Sequence, residues 1–156
     1  MSEHIATIRW KRTTESFGYD DYNRTHSWAF DNGLVIQAAA APAFRGDPAC
    51  LDPEEAFVAS VSSCHMLTFL ALAARKRLTV DAYIDDAVGH LEKNEAGKLA
   101  IMRVDLRPRV VFARGVDVDA AALEKMHHRA HEECFIANSV NFPVLCEPSI
   151  RVSQPT

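Results

Sequence analysis

The chain has 156 residues, of which 48% are hydrophobic and 24% are charged, and its formal net charge is −4. This length suits a single domain over residues 1–156 and disfavours two independent cores, because a chain of this size buries about two thirds of its unfolded surface. The acidic balance and the scattered basic residues disfavour nucleic-acid binding.

The N-terminal segment and the cysteines indicate the compartment. The chain starts with MSEHIATIRWKR, which is charged and alternating and lacks the continuous apolar core of a signal peptide. None of the four cysteines belongs to a C-x-x-C pair. We therefore expect a cytoplasmic protein whose reduced thiols have catalytic, metal-binding or packing roles.

Three strands are predicted in the first quarter of the chain. Residues 4–12 alternate in polarity and include β-branched side chains, as in a half-buried strand. Residues 27–30 and 34–39 flank Asp31-Asn32-Gly33, which predicts a hairpin because Asn-Gly tolerates the positive φ angles of a tight turn. The polar segment before the hairpin and residues 40–51 are expected to be loops.

Residues 52–77 are predicted to form a long, almost wholly buried helix around which the chain is organised. Asp52 is a favourable N-cap, and Pro53 suits the first helical position. Between residues 56 and 74 no side chain is charged, apart from any charge on His65, and apolar residues point in every direction. A helix about 35 Å long exceeds what one small domain covers, so a second subunit is expected to cover the rest.

A membrane-spanning helix is the alternative interpretation of this segment, because about 20 apolar residues can cross a bilayer. Serine, histidine and threonine side chains dilute its apolar character, and the sequence has no second candidate span. We therefore expect no association with a membrane.

The second half of the chain predicts two long strands, a second helix and a final strand. Residues 79–91 and 99–113 alternate on either side of a polar turn, and Pro108 marks an edge or a bulge. A helix is predicted over residues 120–134, and residues 147–152 suit the last strand. The predicted fold class is α+β, with mostly antiparallel sheets around the long central helix.

His127, His131 and Cys134 follow the spacing i, i+4 and i+7, which places them on one face of the second helix. Two imidazoles and a thiolate are adequate ligands for zinc, so a metal-binding protein is one functional hypothesis. In the alternative interpretation, His127 and His128 are solvated residues near a helix C-terminus, where positive charge is favoured.

Cys64, in the middle of the long helix, and Cys134 form a second candidate pair. A peroxide-reducing thiol needs its thiolate stabilised, usually by an arginine, and a second cysteine that resolves the sulfenic acid as a disulfide. Cys64 gains little from a helix N-terminus and would need a cation from elsewhere. Both cysteines could instead be small packing residues, which is also our interpretation of Cys50 and Cys146.

The segment DPEEAFVASVSSCHMLTFLALA, followed further along the chain by AHEECFIANSV, resembles the OsmC/Ohr family of thiol peroxidases. In that family a proline-glutamate pair opens a buried central helix that carries a reactive cysteine, and a second cysteine is followed closely by asparagine. Pro53, Glu54, Cys64, Cys134 and Asn138 occupy those positions here. The order of the elements agrees as well, so the resemblance covers most of the chain and implies an OsmC-like fold.

The resemblance implies a reductase of organic hydroperoxides that acts in the response to oxidative stress and needs no cofactor or metal. Cys64 would be the peroxidatic cysteine and Cys134 the resolving one, while Glu54 would hold an arginine that activates Cys64. Arg24 is the best match for this arginine, and Arg45 is the second choice. The family forms intertwined homodimers with active sites at the subunit interface, and a dithiol such as a lipoyl group would reset the disulfide.

Two residues depart from the family pattern. Cys134 is followed by Phe135 instead of a proline, and Cys64 is followed by His65 instead of an aromatic residue. His65 is either a proton donor to the leaving alkoxide or a hydrogen-bonded core residue. His26 either shares the loop of the activating arginine or is an ordinary surface residue.

Helix geometry and apolar side chains add two expectations. Glu54 and Cys64 lie about 15 Å apart along one helix axis, so we predict that Arg24 and Glu54 of one subunit serve Cys64 of the other. Apolar walls, with His65 beside them, are expected to favour an alkyl peroxide over hydrogen peroxide, because a nonpolar substrate can bury its surface there. The walls are Phe57, Val61, Phe69 and Phe135.

Two other classes of function stay open. One is a binding protein on the same fold, in which His127, His131 and Cys134 hold a metal ion. The other is a non-catalytic structural or stress-response dimer in which Cys64 and Cys134 only fill space.

Overall fold

The computed structural model describes residues 1–152, which form two compact units, Met1–Ala56 and the described residues from Phe57 onward. The first unit contains one three-stranded sheet. The second unit contains two further three-stranded sheets and the helix α2 (Ala120–Glu133). The long helix α1 (Pro53–Arg75) begins within the first unit, and most of its residues belong to the second.

The sheet of the first unit is antiparallel, with the strand order β1-β2-β3. Its strands are β1 (Ala6–Arg9), β2 (His26–Phe30) and β3 (Val35–Ala38). Gly33 lies in the turn between β2 and β3 with a φ of 86°, which glycine adopts without strain, so the predicted hairpin is confirmed. β1 is shorter than the strand predicted over residues 4–12, and a short 3-10 helix, Pro42–Phe44, lies in the predicted loop.

Helix α1 begins and ends close to the predicted residues. The Asp52 carboxylate accepts a hydrogen bond from the Glu55 N–H at 2.7 Å, which confirms the N-cap expected from the sequence. At the other end Arg77 adopts a left-handed φ of 60°, a conformation that ends the helical path.

One stripe of α1, and not its whole circumference, is buried within the described chain. The buried residues Val61, His65, Phe69 and Ala73 recur every four positions, whereas Leu67 is 60% exposed. The prediction of an almost wholly buried helix is therefore wrong for the described chain. Apolar residues all around a helix do not specify what covers them, and here a single face packs against the same chain.

Among the described residues, α1 is also the one helix long and apolar enough to cross a membrane. Only part of this segment is buried within the chain. The core helix of a soluble protein passes the same test of length and composition, so this property alone does not assign the protein to a membrane.

The two sheets of the second unit share one pattern of pairing. Their strands are β4 (Val80–Asp85), β5 (Val88–Lys93), β6 (Leu99–Leu106), β7 (Pro108–Phe112), β8 (Val144–Cys146) and β9 (Ser149–Val152). The strand orders are β4-β7-β9 and β5-β6-β8. The β4–β7 and β5–β6 pairs are antiparallel, whereas β8 and β9 run parallel to their neighbours. The fold is therefore α+β with mostly antiparallel pairing, as predicted.

Each of the two long strands predicted in the second half is interrupted, so that their hairpin contributes to both sheets. The first is divided into β4 and β5, and the second into β6 and β7. The Asp85 carboxylate at the end of β4 accepts a hydrogen bond from the Arg107 N–H at 2.6 Å. Pro108 lacks an N–H and stands first in β7, a position where a strand tolerates proline. The last strand predicted over 147–152 is confirmed as β9, whereas the short strand β8 before it was not predicted.

Helix α2 has a side-chain cap at one end and an extended residue at the other. The Asp119 carboxylate accepts a hydrogen bond from the Ala122 N–H at 2.7 Å. Cys134 follows the last helical residue in an extended conformation and is thus the C-cap. A 3-10 helix, Ala137–Ser139, then turns the chain toward β8.

The core of the second unit consists of two clusters along the buried stripe of α1. In one, Phe69 and Ala73 pack with residues of β7 and α2, which are Val110, Phe112, Leu123, Met126 and Ala130. In the other, Val61 packs with Val104 and Leu106 of β6. The stripe therefore contacts both sheets of the unit.

We predict that Phe69→Ala lowers the free energy of unfolding by about 3–5 kcal/mol, because it removes a fully buried ring and leaves a cavity. The matched control is Phe135→Ala, which removes the same ring from a side chain that is 82% exposed and should cost less than about 0.5 kcal/mol. Urea denaturation followed by circular dichroism measures both values. Equal losses in the two variants would contradict the assignment of Phe69 to the core.

Candidate active site

Cys64 lies halfway along α1, beside the buried stripe, and its side chain is half-buried. Its thiol faces a cavity of about 830 Å³. Residues of α1 and of the segment after α2 line this cavity: Ser60, Ser63, Leu67, Thr68, Ala71, Leu72, Arg75, Glu133, Phe135, Ile136 and Asn138. Most of the exposed lining is apolar, so the cavity can accept a nonpolar group next to the sulfur.

Cys134 is fully buried at the C-cap of α2, and its side chain lies beside that of Cys64. Its sulfur also accepts a hydrogen bond from the Ala137 N–H at 3.4 Å. Both cysteines are free thiols. The structure thus brings together the two cysteines that the sequence analysis singled out, although they are far apart in the chain.

The environment of Cys134 favours the protonated thiol. Burial raises its pKa to about 11, and the neighbouring Cys64 thiol acts in the same direction, while the Ala137 N–H opposes both. Cys134 therefore holds its proton at neutral pH and can donate it to the Cys64 sulfur. This arrangement gives the two cysteines different roles, with Cys64 as the accessible sulfur and Cys134 as the protected one.

The predicted apolar walls do not surround Cys64 within the chain. Of the predicted substrate-binding residues, Phe135 alone lines the cavity. Val61, His65 and Phe69 belong to the buried stripe, and Phe57 packs against the same core cluster as Val61. Residues at intervals of four share one helix face, and Cys64 lies on the next face. The apolar lining of the cavity therefore comes from other side chains of α1, chiefly Leu67 and Leu72.

His65 is a core residue and does not act on Cys64. Its Nε2 forms a hydrogen bond of 2.9 Å with Nδ1 of His127, and Cys146 Sγ lies 3.8 Å from the same Nε2. His65 and His127 are 1% and 2% exposed. The interpretation of His65 as a hydrogen-bonded core histidine is confirmed, and that of His127 as a solvated residue is wrong.

The zinc ligands predicted from helix spacing do not form a group. In the described part of the chain, His65, His127 and Cys146 are the one set of three candidate ligands whose donor atoms lie within 4.8 Å of one another. Cys134 instead contacts Cys64. His127 continues the apolar pattern of Leu123, Met126 and Ala130, and this pattern could have indicated from the sequence that His127 is buried.

In the first unit, Arg24 lies in an aromatic cluster. Its guanidinium donates hydrogen bonds to the carbonyls of Tyr22 at 2.9 Å and Tyr19 at 2.6 Å, and it lies 4.1 Å from the ring centroid of Tyr22. Arg45 lies 5.6 Å from the ring centroid of Tyr19 and forms an ion pair with Asp20 at 2.6 Å. The two candidate activating arginines therefore meet at the same tyrosine.

Glu54 and His26 also lie in the first unit. Glu54 is half-buried in the first turn of α1, and no ion pair joins it to Arg24 within the described residues. His26 Nδ1 bonds to the Arg24 carbonyl at 2.8 Å, and the Trp28 indole N–H donates to His26 Nε2 at 2.8 Å. These two bonds place the ring hydrogen on Nδ1 of His26, which is the first residue of β2.

Comparisons with known proteins agree on one family. The profile of the OsmC-like protein family matches residues 46–148. An OsmC-like protein of unknown function from Vibrio cholerae is 50% identical, with a TM-score of 0.92 over 96% of this chain and 100% of that chain. A search of curated proteins gives no match.

Two organic hydroperoxide resistance proteins share the fold at lower identity. The protein from Elizabethkingia anophelis is 15% identical, with a TM-score of 0.73 over 98% of each chain. OhrB of Bacillus subtilis is 18% identical, with a TM-score of 0.63 over 96% of this chain and 98% of that chain. At these identities the likeness shows the fold.

The fold and the site define an α+β protein in which a long helix presents one thiol to a second thiol beside an apolar cavity. The chain belongs to the OsmC-like protein family. The resemblance found in the sequence is thereby confirmed.

We predict that iodoacetamide labels Cys64 before Cys134 in the folded protein, because Cys64 is half-buried and Cys134 is inaccessible. Only the thiolate reacts, so labelling of Cys134 should rise about tenfold per pH unit and continue to rise beyond pH 9, toward its pKa of about 11. Mass spectrometry of digested samples measures each site, with labelling in denaturant as the control. A plateau for Cys134 below pH 9 would contradict the environment described for it.

Proposed function

We propose that the protein is a thiol peroxidase that reduces organic hydroperoxides through Cys64 and Cys134. The observation that carries this proposal is the adjacent pair of free thiols, of which Cys64 opens onto an apolar cavity. Related folds in proteins described as organic hydroperoxide resistance proteins agree with this substrate class.

In the first step the Cys64 thiolate attacks the terminal oxygen of the hydroperoxide. The O–O bond breaks, the alkoxide takes up a proton and leaves as an alcohol, and Cys64 becomes a sulfenic acid. The Cys134 sulfur then attacks the Cys64 sulfur, an S–S bond forms, and the hydroxyl leaves as water with the proton of Cys134. One hydroperoxide and two thiols thus give one alcohol, one disulfide and one water. An external dithiol, such as a lipoyl group, reduces the disulfide.

The cavity beside Cys64 supports a nonpolar substrate. Leu67 and Phe135 are 60% and 82% exposed, so an alkyl or aryl group that enters the cavity removes apolar surface from water. At roughly 25 cal/mol per Å², a bound aryl group gains a few kcal/mol that hydrogen peroxide cannot gain. The proposed preference for organic hydroperoxides follows from this difference.

Activation of Cys64 requires a cation, because the middle of a helix does little to stabilise a thiolate. We assign this role to Arg24, oriented by Glu54, with both residues contributed by the partner subunit of a cytoplasmic homodimer. Two of the five N–H donors of Arg24 bond to backbone carbonyls, which leaves donors for a thiolate. Exposed apolar side chains outside this cavity, such as Ile84 and Leu91, support a second subunit as their cover.

The first experiment counts thiols. Treatment of the reduced protein with one equivalent of cumene hydroperoxide should remove two of the four free thiols and yield a Cys64–Cys134 disulfide, because each turnover oxidises that pair. Intact mass and peptide mapping measure the outcome.

The control variants separate the two steps of this reaction. Cys64→Ser should lose no thiols, and Cys134→Ser should accumulate oxidised Cys64 without an internal disulfide, while Cys50→Ser should behave as the wild type. Four intact thiols in the wild-type protein would refute the peroxidase mechanism for this substrate and favour a non-catalytic binding or stress-response protein.

A second experiment tests the shared active site. Arg24→Ala should lower the peroxidase rate about a hundredfold, because it removes the cation that stabilises the thiolate. Mixing equal amounts of Arg24→Ala and Cys64→Ser subunits, after unfolding and refolding, should restore about a quarter of the wild-type activity. Half of the dimers are then mixed, and each mixed dimer has one intact site if the site draws Arg24 and Cys64 from different subunits.

Absence of restored activity in a mixture verified to contain mixed dimers would contradict the shared site. Arg45→Ala is the matched control and should retain activity. If Arg45→Ala abolished activity while Arg24→Ala did not, the assignment of the activating arginine to Arg24 would be wrong.

A further inference from the structure

A second cluster of reactive side chains lies in the core of the second unit, where the thiol chemistry proposed above does not use it. His65 of α1, His127 of α2 and Cys146 of β8 present donor atoms that all lie within 4.8 Å of one another. The two imidazoles are almost completely buried, and Cys146 is half-buried. Two imidazoles and one sulfur thus converge from three different elements.

The spacing of these atoms is close to that around a zinc ion. Zinc bonds of about 2.0–2.1 Å to nitrogen and 2.3 Å to sulfur, at tetrahedral angles, separate two nitrogens by about 3.3 Å and a nitrogen from sulfur by about 3.6 Å. The corresponding distances here are 2.9 Å between His65 Nε2 and His127 Nδ1, and 3.8 Å between His65 Nε2 and Cys146 Sγ. Shifts of a few tenths of an ångström bring these two separations to the values for a bound ion.

The two imidazole rings can make this adjustment. They lie parallel within 3° and meet edge to edge, so a hydrogen bond joins the facing nitrogens in the metal-free protein. Nδ1 of His65 and Nε2 of His127 have no hydrogen-bond partner among residues 1–152. No second bond therefore fixes either ring from behind. The ring of Phe69, 4.2 Å from that of His127 between centroids, stacks on its face and not against the edge that carries Nδ1.

The cluster is connected to solvent by a cavity of about 790 Å³. His127, His131 and Cys146 are among its lining residues, together with Glu124 and Glu147. Asp85 and Glu147 lie close enough to Cys146 for their negative charges to raise the pKa of its thiol, after burial as the main cause. The same negative charges attract a divalent cation, which displaces the thiol proton when it binds.

We propose that His65, His127 and Cys146 form a binding site for one zinc ion per chain. Nitrogen and sulfur donors select zinc over calcium and magnesium, which prefer oxygen. The ion would join α1, α2 and β8, and its fourth position would face the cavity. This site is separate from the Cys64–Cys134 pair, so it does not depend on the proposed peroxidase activity.

Cobalt(II), a spectroscopic substitute for zinc, provides the test. Reduced protein without an affinity tag is freed of metal and titrated with Co²⁺ in the absence of oxygen. We expect saturation at one equivalent, with a thiolate-to-cobalt charge-transfer band and the ligand-field bands of a four-coordinate site. Addition of Zn²⁺ should abolish these bands and raise the Tm by several degrees, because the ion binds only the folded chain.

The variants identify the ligands. Cys146→Ser should lose the charge-transfer band and the rise in Tm, whereas the matched control Cys50→Ser should keep both. An unchanged band in Cys146→Ser, or no charge-transfer band in the wild-type protein, would overturn the proposal.

If Cys146→Ser does not fold, a measurement on the wild-type protein tests the site instead. X-ray absorption at the zinc edge should count one sulfur and at least two nitrogens around the ion. A count of two sulfurs would place the ion at Cys64 and Cys134. A count of zero sulfurs would place it away from the thiols. Either result would refute the site.

Discussion

The angular spacing of residues along α1 is the constraint on which both groups of reactive side chains depend. Val61, His65 and Phe69 are buried at intervals of four residues, so one face of the helix lies against the core. Each residue advances about 100° around the axis, so Cys64 leaves the core and faces the cavity while its neighbour His65 enters the core. Two adjacent residues of the sequence thereby belong to two different chemical environments.

The end of α2 determines the position of the second thiol. Since the helix stops at Glu133, Cys134 adopts an extended conformation, and its carbonyl accepts the Asn138 N–H at 3.0 Å. The Asn138 side chain donates to the Glu132 carbonyl at 3.0 Å, which closes the same turn. These bonds satisfy carbonyls that the end of a helix leaves without partners, and they hold the buried sulfur of Cys134 against Cys64.

The separation of the two groups has a chemical consequence. Cys64 and Cys134 meet beside one cavity, whereas His127 and Cys146 line another. A thiol that reacts with peroxide must not be held by a metal ion, because coordination would occupy the sulfur lone pairs needed for attack. The placement of the imidazoles beside Cys146, and not beside Cys64, would keep the two proposed kinds of chemistry apart within one small unit.

The amino-acid sequence alone specifies the cap at Asp52, the turn at Gly33, the α+β class and the family, because local hydrogen bonds and short motifs decide these features. It also indicated the pair of Cys64 and Cys134. Three-dimensional packing sets which face of α1 is buried, where the long strands break, and that His65 meets His127. A helix that is apolar on every side carries no periodic signal for one buried face, and contacts between distant residues leave no trace in local sequence patterns.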